Sequence, residues 1–127
     1  MELKLLNEDF TVCKVEDYLL VNSAAEYYFT GKTTEENSLV CLTRDVPSNV
    51  TQRDDGWKGF CIQGVLDFSL IGILSRISAV LADEGISIFA ISTYNTDYIF
   101  IKEKNYQKAL DVLGHSGYAI ISQPDRL

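Results

Sequence analysis

The chain has 127 residues, 46% hydrophobic and 23% charged, with 8 glycines and 2 prolines, a composition that excludes collagen-like and disordered classes. Eighteen acidic against eleven basic residues give a formal charge of −7, which repels phosphate backbones and argues against nucleic acid or an anionic membrane surface as partner. No window approaches the roughly 20 uninterrupted apolar residues of a membrane span, and MELKLLNEDF carries acidic groups where a secretory signal would be basic, so the expectation is a cytoplasmic protein.

In chain order, Leu3 to Leu6 and Phe10 to Val15 are apolar runs flanking Asn7-Glu8-Asp9, which predicts a hairpin. Glu16 to Glu26 reads as a short helix or an irregular crossover. Tyr27 to Thr30 and Ser38 to Thr43 predict a second strand pair joined by the polar stretch Gly31 to Asn37. Val46 to Gly56, with Pro47, Ser48, Asn49, Asp54 and Asp55, is the most loop-like segment and the expected boundary between an irregular first unit, 1–55, and a regular second one, 56–127.

The second unit is better patterned. Trp57 to Gly64 reads as a strand. A helix follows over 69–84, with Leu70, Leu74, Ile77 and Leu81 on one face and Gly85 as a left-handed stop. Ile86 to Ser92 and Tyr98 to Lys102 are strands around Asn95-Thr96-Asp97. A second helix fits Lys104 to Leu113, stopped by Gly114, and Tyr118 to Ser122 closes as a strand. Strand, helix, strand, strand, helix, strand is the ferredoxin-like βαββαβ arrangement, an α+β fold with an antiparallel sheet and both helices on one face.

Chemistry is thinly supplied. Cys13, Cys41 and Cys61 are widely spaced inside apolar runs, which reads as three buried hydrophobes, and His115 is the single histidine, so no metal site or nucleophilic couple is expected. Phe89 and Phe100 lie on middle strands, but a base-stacking surface would also need a basic face. Two signals remain. In Gly64-Val65-Leu66-Asp67-Phe68-Ser69-Leu70-Ile71-Gly72 a strand gives way to a helix, whose free N–H groups can hold a carboxylate. Equally, Asp67 or Ser69 can be the helix cap and Gly72 a packing position. In Ser92-Thr93-Tyr94-Asn95-Thr96-Asp97-Tyr98, Asp97 can meet a ligand ammonium and Ser92 or Thr93 can donate hydroxyl hydrogen bonds, or the segment is ordinary turn chemistry.

The strings DFSLIGIL, GISIFAIS and STYNTDYIFIK resemble the ACT domain family, small βαββαβ regulators that bind amino acids. With MELKLLNEDFTVCKV and YYFTGKTTEENSLVCL, the whole chain resembles small tandem-ACT bacterial proteins related to the CASTOR-type arginine sensors of animals. This likeness implies two ACT-like units in tandem and a non-catalytic, amino-acid-binding sensor module without cofactor, its ligand held at an ACT–ACT interface. It also implies a homodimer, because the sensors have two tandem pairs and this chain one. The aspartate of the sensors' motif corresponds to Asp97, joined by Ser92 and Thr93, while Asp67, Ser69, Leu70, Ile71 and Gly72 would meet the ligand carboxylate. The alternative is a ligand-free ACT-type dimerisation module. IQGVLDFS also faintly resembles the phosphate loop of acylphosphatases, but Ser69 stands where that loop's arginine is expected, and the helix expected from 69 puts Arg76 two turns from the loop.

Overall fold

The computed structural model describes residues 1–63 and 72–122. The elements are β1 (Glu2–Val15), β2 (Tyr28–Lys32), β3 (Asn37–Leu42), a 3-10 turn (Thr43–Asp45), β4 (Val50–Ile62), α1 (Ile73–Asp83), β5 (Ile88–Ser92), β6 (Asp97–Lys102), α2 (Glu103–His115) and β7 (Ala119–Ile121). This is a mixed α+β, ACT-like fold. It divides into an N-terminal unit, Glu8–Trp57, and a C-terminal unit made of Met1–Asn7 and the chain from Lys58 onward, so β1 and β4 contribute to both. Among the described residues no helix is long and apolar enough to cross a membrane.

In the C-terminal unit the strands lie in the order β7, β1, β4, β6, β5. The first residues of the chain thus enter this sheet between β4 and β7, with Glu2 to Lys4 parallel to Ala119 to Ile121. Strand alternation puts Leu3, Phe60, Ile62, Ile99 and Ile101 on one face, where they bury against Ile73, Ile77 and Leu81 of α1 and Ala109, Leu110 and Leu113 of α2. Each such aliphatic chain contributes about 1.5–3 kcal/mol when fully buried. On the opposite face Phe100, fully buried, stacks on Phe89 with ring centroids 4.8 Å apart. Gly59 makes room for it, since a Cβ there would lie 2.8 Å from Phe100 Cε1.

The N-terminal unit orders its strands β2, β3, β1, β4. Its core is Cys13, Val15, Leu39 and Cys41, covered by Tyr18 and Val21 from the crossover after β1, which has turns and no helix. Tyr18 is held there by its hydroxyl, which donates to the Ser38 carbonyl at 2.9 Å. Thr11, fully buried, is satisfied by donating to Asp55 Oδ1 at 2.6 Å, with Thr43 Oγ1 at 2.9 Å.

The hairpins of the two units are built alike. Lys32 pairs with Asn37 across one and Ser92 with Asp97 across the other. In each the closing pair is joined by side chains, Lys32 Nζ to Asn37 Oδ1 and Ser92 Oγ to Asp97 Oδ1. In each a threonine N–H then spans the turn, Thr33 to the Glu36 carbonyl at 3.0 Å and Thr93 to the Thr96 carbonyl at 2.8 Å. Leu39 and Cys41 face their core as Ile99 and Ile101 face theirs.

Several sequence expectations are corrected. The Asn7-Glu8-Asp9 hairpin does not form and β1 runs straight through: Leu6 and Phe10 are buried on either side while Asn7 and Asp9 are exposed, so these polar residues are a solvated stretch of one strand. The polar stretch up to Gly56 is mostly strand: the side chains of Thr51 to Asp55 are exposed, so polarity there marks a solvated face rather than a loop. α1 begins at Ile73, not Ser69, because Gly72 is left-handed at φ 77° and cannot be a helical residue. α2 passes through Gly114 and stops at Gly117 (φ 100°), where Tyr118 N–H reaches back to the Leu113 carbonyl at 3.1 Å. Gly85 ends α1 as expected, with Ile86 N–H bonded to the Leu81 carbonyl in the same way.

Gly59→Ala should therefore destabilise the fold by about 1–3 kcal/mol through overpacking. Urea unfolding should show a lowered midpoint that Phe100→Leu in the same chain partly restores. An unchanged midpoint in the single variant would contradict the close approach.

Candidate functional site

β6 ends its run of core residues with a polar tip. Because Asp97 has the parity of Ile99 and Ile101, it projects to the helix-bearing side of the C-terminal sheet. Its Oδ1 accepts the Ser92 hydroxyl at 2.5 Å, while Oδ2 takes no hydrogen bond among the described residues. Thr93 Oγ1 donates to the Thr96 carbonyl at 3.0 Å, tightening the turn. Thr96 is only 8% exposed, and its hydroxyl donates to the Ile62 carbonyl at 2.9 Å. That bond ties the hairpin to the end of β4, immediately before the strand-to-helix junction. Asp97, an oriented carboxylate suited to a cation, thus stands on a hairpin that is tied to the last residue of β4.

Gly72 sits at the other side of the junction as the N-cap of α1, its carbonyl accepting the Arg76 N–H at 2.8 Å. Asp67, Ser69, Leu70 and Ile71 lie outside the described residues. The late start of α1 moves Arg76 into the first helical turn, a correction to its expected distance from the loop. Its guanidinium reaches back so that a Cβ at Gly72 would be 3.9 Å from Nη1. Arg76 and Thr96 were not among the residues singled out from the sequence. Thr96 had a signal, a hydroxyl after an apolar strand at the place where the first hairpin has Glu36. Arg76 had none until the helix start was known.

Other groups are chemically quiet. Burial pushes the thiols of Cys13 and Cys61 up, and that of Cys41 up to about 12, with neighbouring Cys13 adding to the rise. Burial also raises the Tyr106 phenol, which donates to the Gly59 carbonyl at 2.7 Å. Among the described residues no three His, Cys, Asp or Glu side chains are grouped to hold a metal ion. The ring of Phe100 is buried against Phe89 and offers no face to a base.

Comparison with known proteins bears on the segment that carries this geometry. Residues 52–114 match the ACT domain family. The matched segment contains Gly72, Arg76, Ser92, Thr93, Thr96 and Asp97. Over the whole chain, a crystal structure of an Agobacterium tumefaciens protein is similar, with 26% identity, a TM-score of 0.88 and coverage of 99% of this chain and 96% of that one. A Vibrio cholerae protein of unknown function, described as a possible transport protein, has 22% identity and a TM-score of 0.68 over 90% and 88%. The ligand-free regulatory subunit of aspartate kinase from Thermus thermophilus shares the fold at 10% identity, with a TM-score of 0.61 over 92% and 98%. No curated protein sequence matches the chain.

The cysteines give a test of this inert interior. The folded chain keeps its thiols protonated above the ordinary range near pH 8.5, so stability should be full below that pH and fall as pH rises towards about 12, where Cys41 ionises in the folded state. The native protein should react with Ellman's reagent at pH 8 only after urea is added. Rapid labelling of the native chain would contradict the burial.

Proposed function

We propose that the chain is a non-catalytic regulatory module that binds a free amino acid at an interface between ACT-like units, which a homodimer supplies. The observation that carries this reading is the Asp97 carboxylate, oriented by Ser92 on a hairpin that the Thr96 to Ile62 hydrogen bond ties to the end of β4. Asp97 would accept the ligand ammonium, with Ser92 and Thr93 as hydroxyl partners. The junction Asp67 to Gly72, including Ser69, Leu70 and Ile71, would offer backbone N–H groups to the ligand carboxylate. The Arg76 guanidinium next to Gly72 favours an anion at the same place.

The ACT match and the likeness to a regulatory subunit of aspartate kinase support a regulatory role. The matched hairpins support reading an irregular ACT-like unit within residues 1–55 in tandem with the regular one at 56–127, to which Met1–Asn7 also belong, as in tandem-ACT proteins of the arginine-sensor type. Control then follows from linkage: a ligand that binds the assembled form better than the open one shifts assembly, by no more than that difference in affinity.

The test is a thermal-shift screen of the twenty amino acids. A ligand at about 100 times its dissociation constant adds roughly 2.7 kcal/mol of apparent stability. Asp97→Ala should abolish the shift while the unliganded chain stays folded, with a melting temperature lowered by no more than the lost Ser92 hydrogen bond accounts for. Equal binding by Asp97→Ala would remove the carboxylate from its assigned role, and a flat screen with a dimer in solution would leave a ligand-free interaction module.

A further inference from the structure

The crossover after β1 in the N-terminal unit exposes two leucines at a fixed turn. Val21 N–H donates to the Tyr18 carbonyl at 3.3 Å, so Tyr18 to Val21 is a β-turn with Leu19 and Leu20 at its corners. Leu19 is 87% exposed and Leu20 55%. Turn corners favour Gly, Pro, Asn, Asp and Ser, so neither turn chemistry nor the core calls for leucine here. The turn is nonetheless held on both sides. Val21 packs on the core of Cys13, Val15, Leu39 and Cys41, and the Tyr18 hydroxyl donates to the Ser38 carbonyl. Asp17 Oδ1 accepts the Leu19 N–H at 3.0 Å and Asn49 Nδ2 at 3.2 Å. Two apolar side chains thus stand in solvent on a preorganised support, which lowers the entropy cost of burying them in a partner.

Charge selects that partner. The unit Glu8–Trp57 holds ten Asp and Glu against four Lys and Arg, so −6 of the chain's −7 lies in it. Lys14 pairs with Glu36, Arg44 with Glu8 and Arg53 with Asp55, while Lys32 is bonded to Asn37. Glu16 and Asp17 lead into the turn, and Asp45 is joined to the loop by Asn22 Nδ2 at 3.3 Å. Among the described residues no Lys or Arg pairs with these three carboxylates. A second copy would set the same negative charge against this face, and an anionic membrane would do likewise. Because the leucines protrude, the partner supplies the recess, which the spaces between side chains on the apolar face of a helix provide.

We propose that the Leu19–Leu20 turn is a docking surface for a basic amphipathic helix of a partner protein. The two leucines enter the apolar stripe of that helix as knobs, and Lys or Arg flanking the stripe meet Glu16, Asp17 and Asp45. This surface shares no residue with the amino-acid site proposed above and stands whether or not that site is occupied.

Isothermal titration of the full chain with a roughly 18-residue synthetic peptide of leucine and lysine, its leucines at helical spacing, tests this. Replacing both leucines, Leu19→Ser with Leu20→Ser, should weaken binding at least tenfold. The melting temperature should not fall, since serine suits turn corners. Glu16→Gln with Asp45→Asn should weaken binding several-fold at about 50 mM salt and have little effect at about 500 mM. A scrambled peptide of equal charge should bind at least tenfold more weakly, and Asp97→Ala should bind like the natural chain. Equal binding by the serine variant or by the scrambled peptide overturns the proposal, as does absence of binding. Self-association in sedimentation velocity that the serine variant abolishes would assign the turn to a second copy and overturn it too.

Discussion

The parity of β6 governs the C-terminal unit. Ile99 and Ile101 must face the helices and Phe100 must face away, because each is fully buried and a one-residue slip would exchange them. Once that register is set, Gly59 has to leave space for the Phe100 ring, and Tyr106 of α2 can reach the Gly59 carbonyl. The same parity carries Asp97 to the helix side and opposite Ser92. A packing requirement in the middle of the strand thus decides where a charged group stands at its end.

That order of causes explains what could be read from the residues. Ile77 and Leu81, and Leu110 and Leu113, are spaced for one helical face, and both helices form where the pattern places them. Apolar runs with β-branched residues likewise located β3, β5 and β6. Composition misled where polar residues lie in a solvated stretch of strand, as at Thr51 to Asp55 and at Asn7 to Asp9. Helix ends were misplaced for a related reason. Gly72 and Gly114 are both glycine, but only Gly72 occupies a left-handed conformation, a distinction set by the backbone around it.

The candidate site was legible in part. Ser92, Thr93 and Asp97 stand out as polar groups between apolar strands, and the structure joins Ser92 to Asp97 directly. The bond from Thr96 to Ile62 links positions far apart in the chain and has no local signature. The likeness of the two hairpins was also missed, although KTTEEN and STYNTD stand in the same relation to their strands. Their differences are chemical: Lys32 and Asn37 close one turn where Ser92 and Asp97 close the other. The scaffold is repeated, and the charge offered at the hairpin's closing pair changes sign.

The central claim is the proposal that the end of the C-terminal sheet carrying Ser92 to Asp97 recognises an amino acid. Backbone nuclear magnetic resonance of the isotopically labelled chain, titrated with the amino acid that stabilises it best, tests this most directly. The account predicts saturable shifts concentrated at Gly72, Arg76 and residues 92–97, with Ile62 responding through Thr96. Titration to saturation with no shift at any of these residues would contradict it.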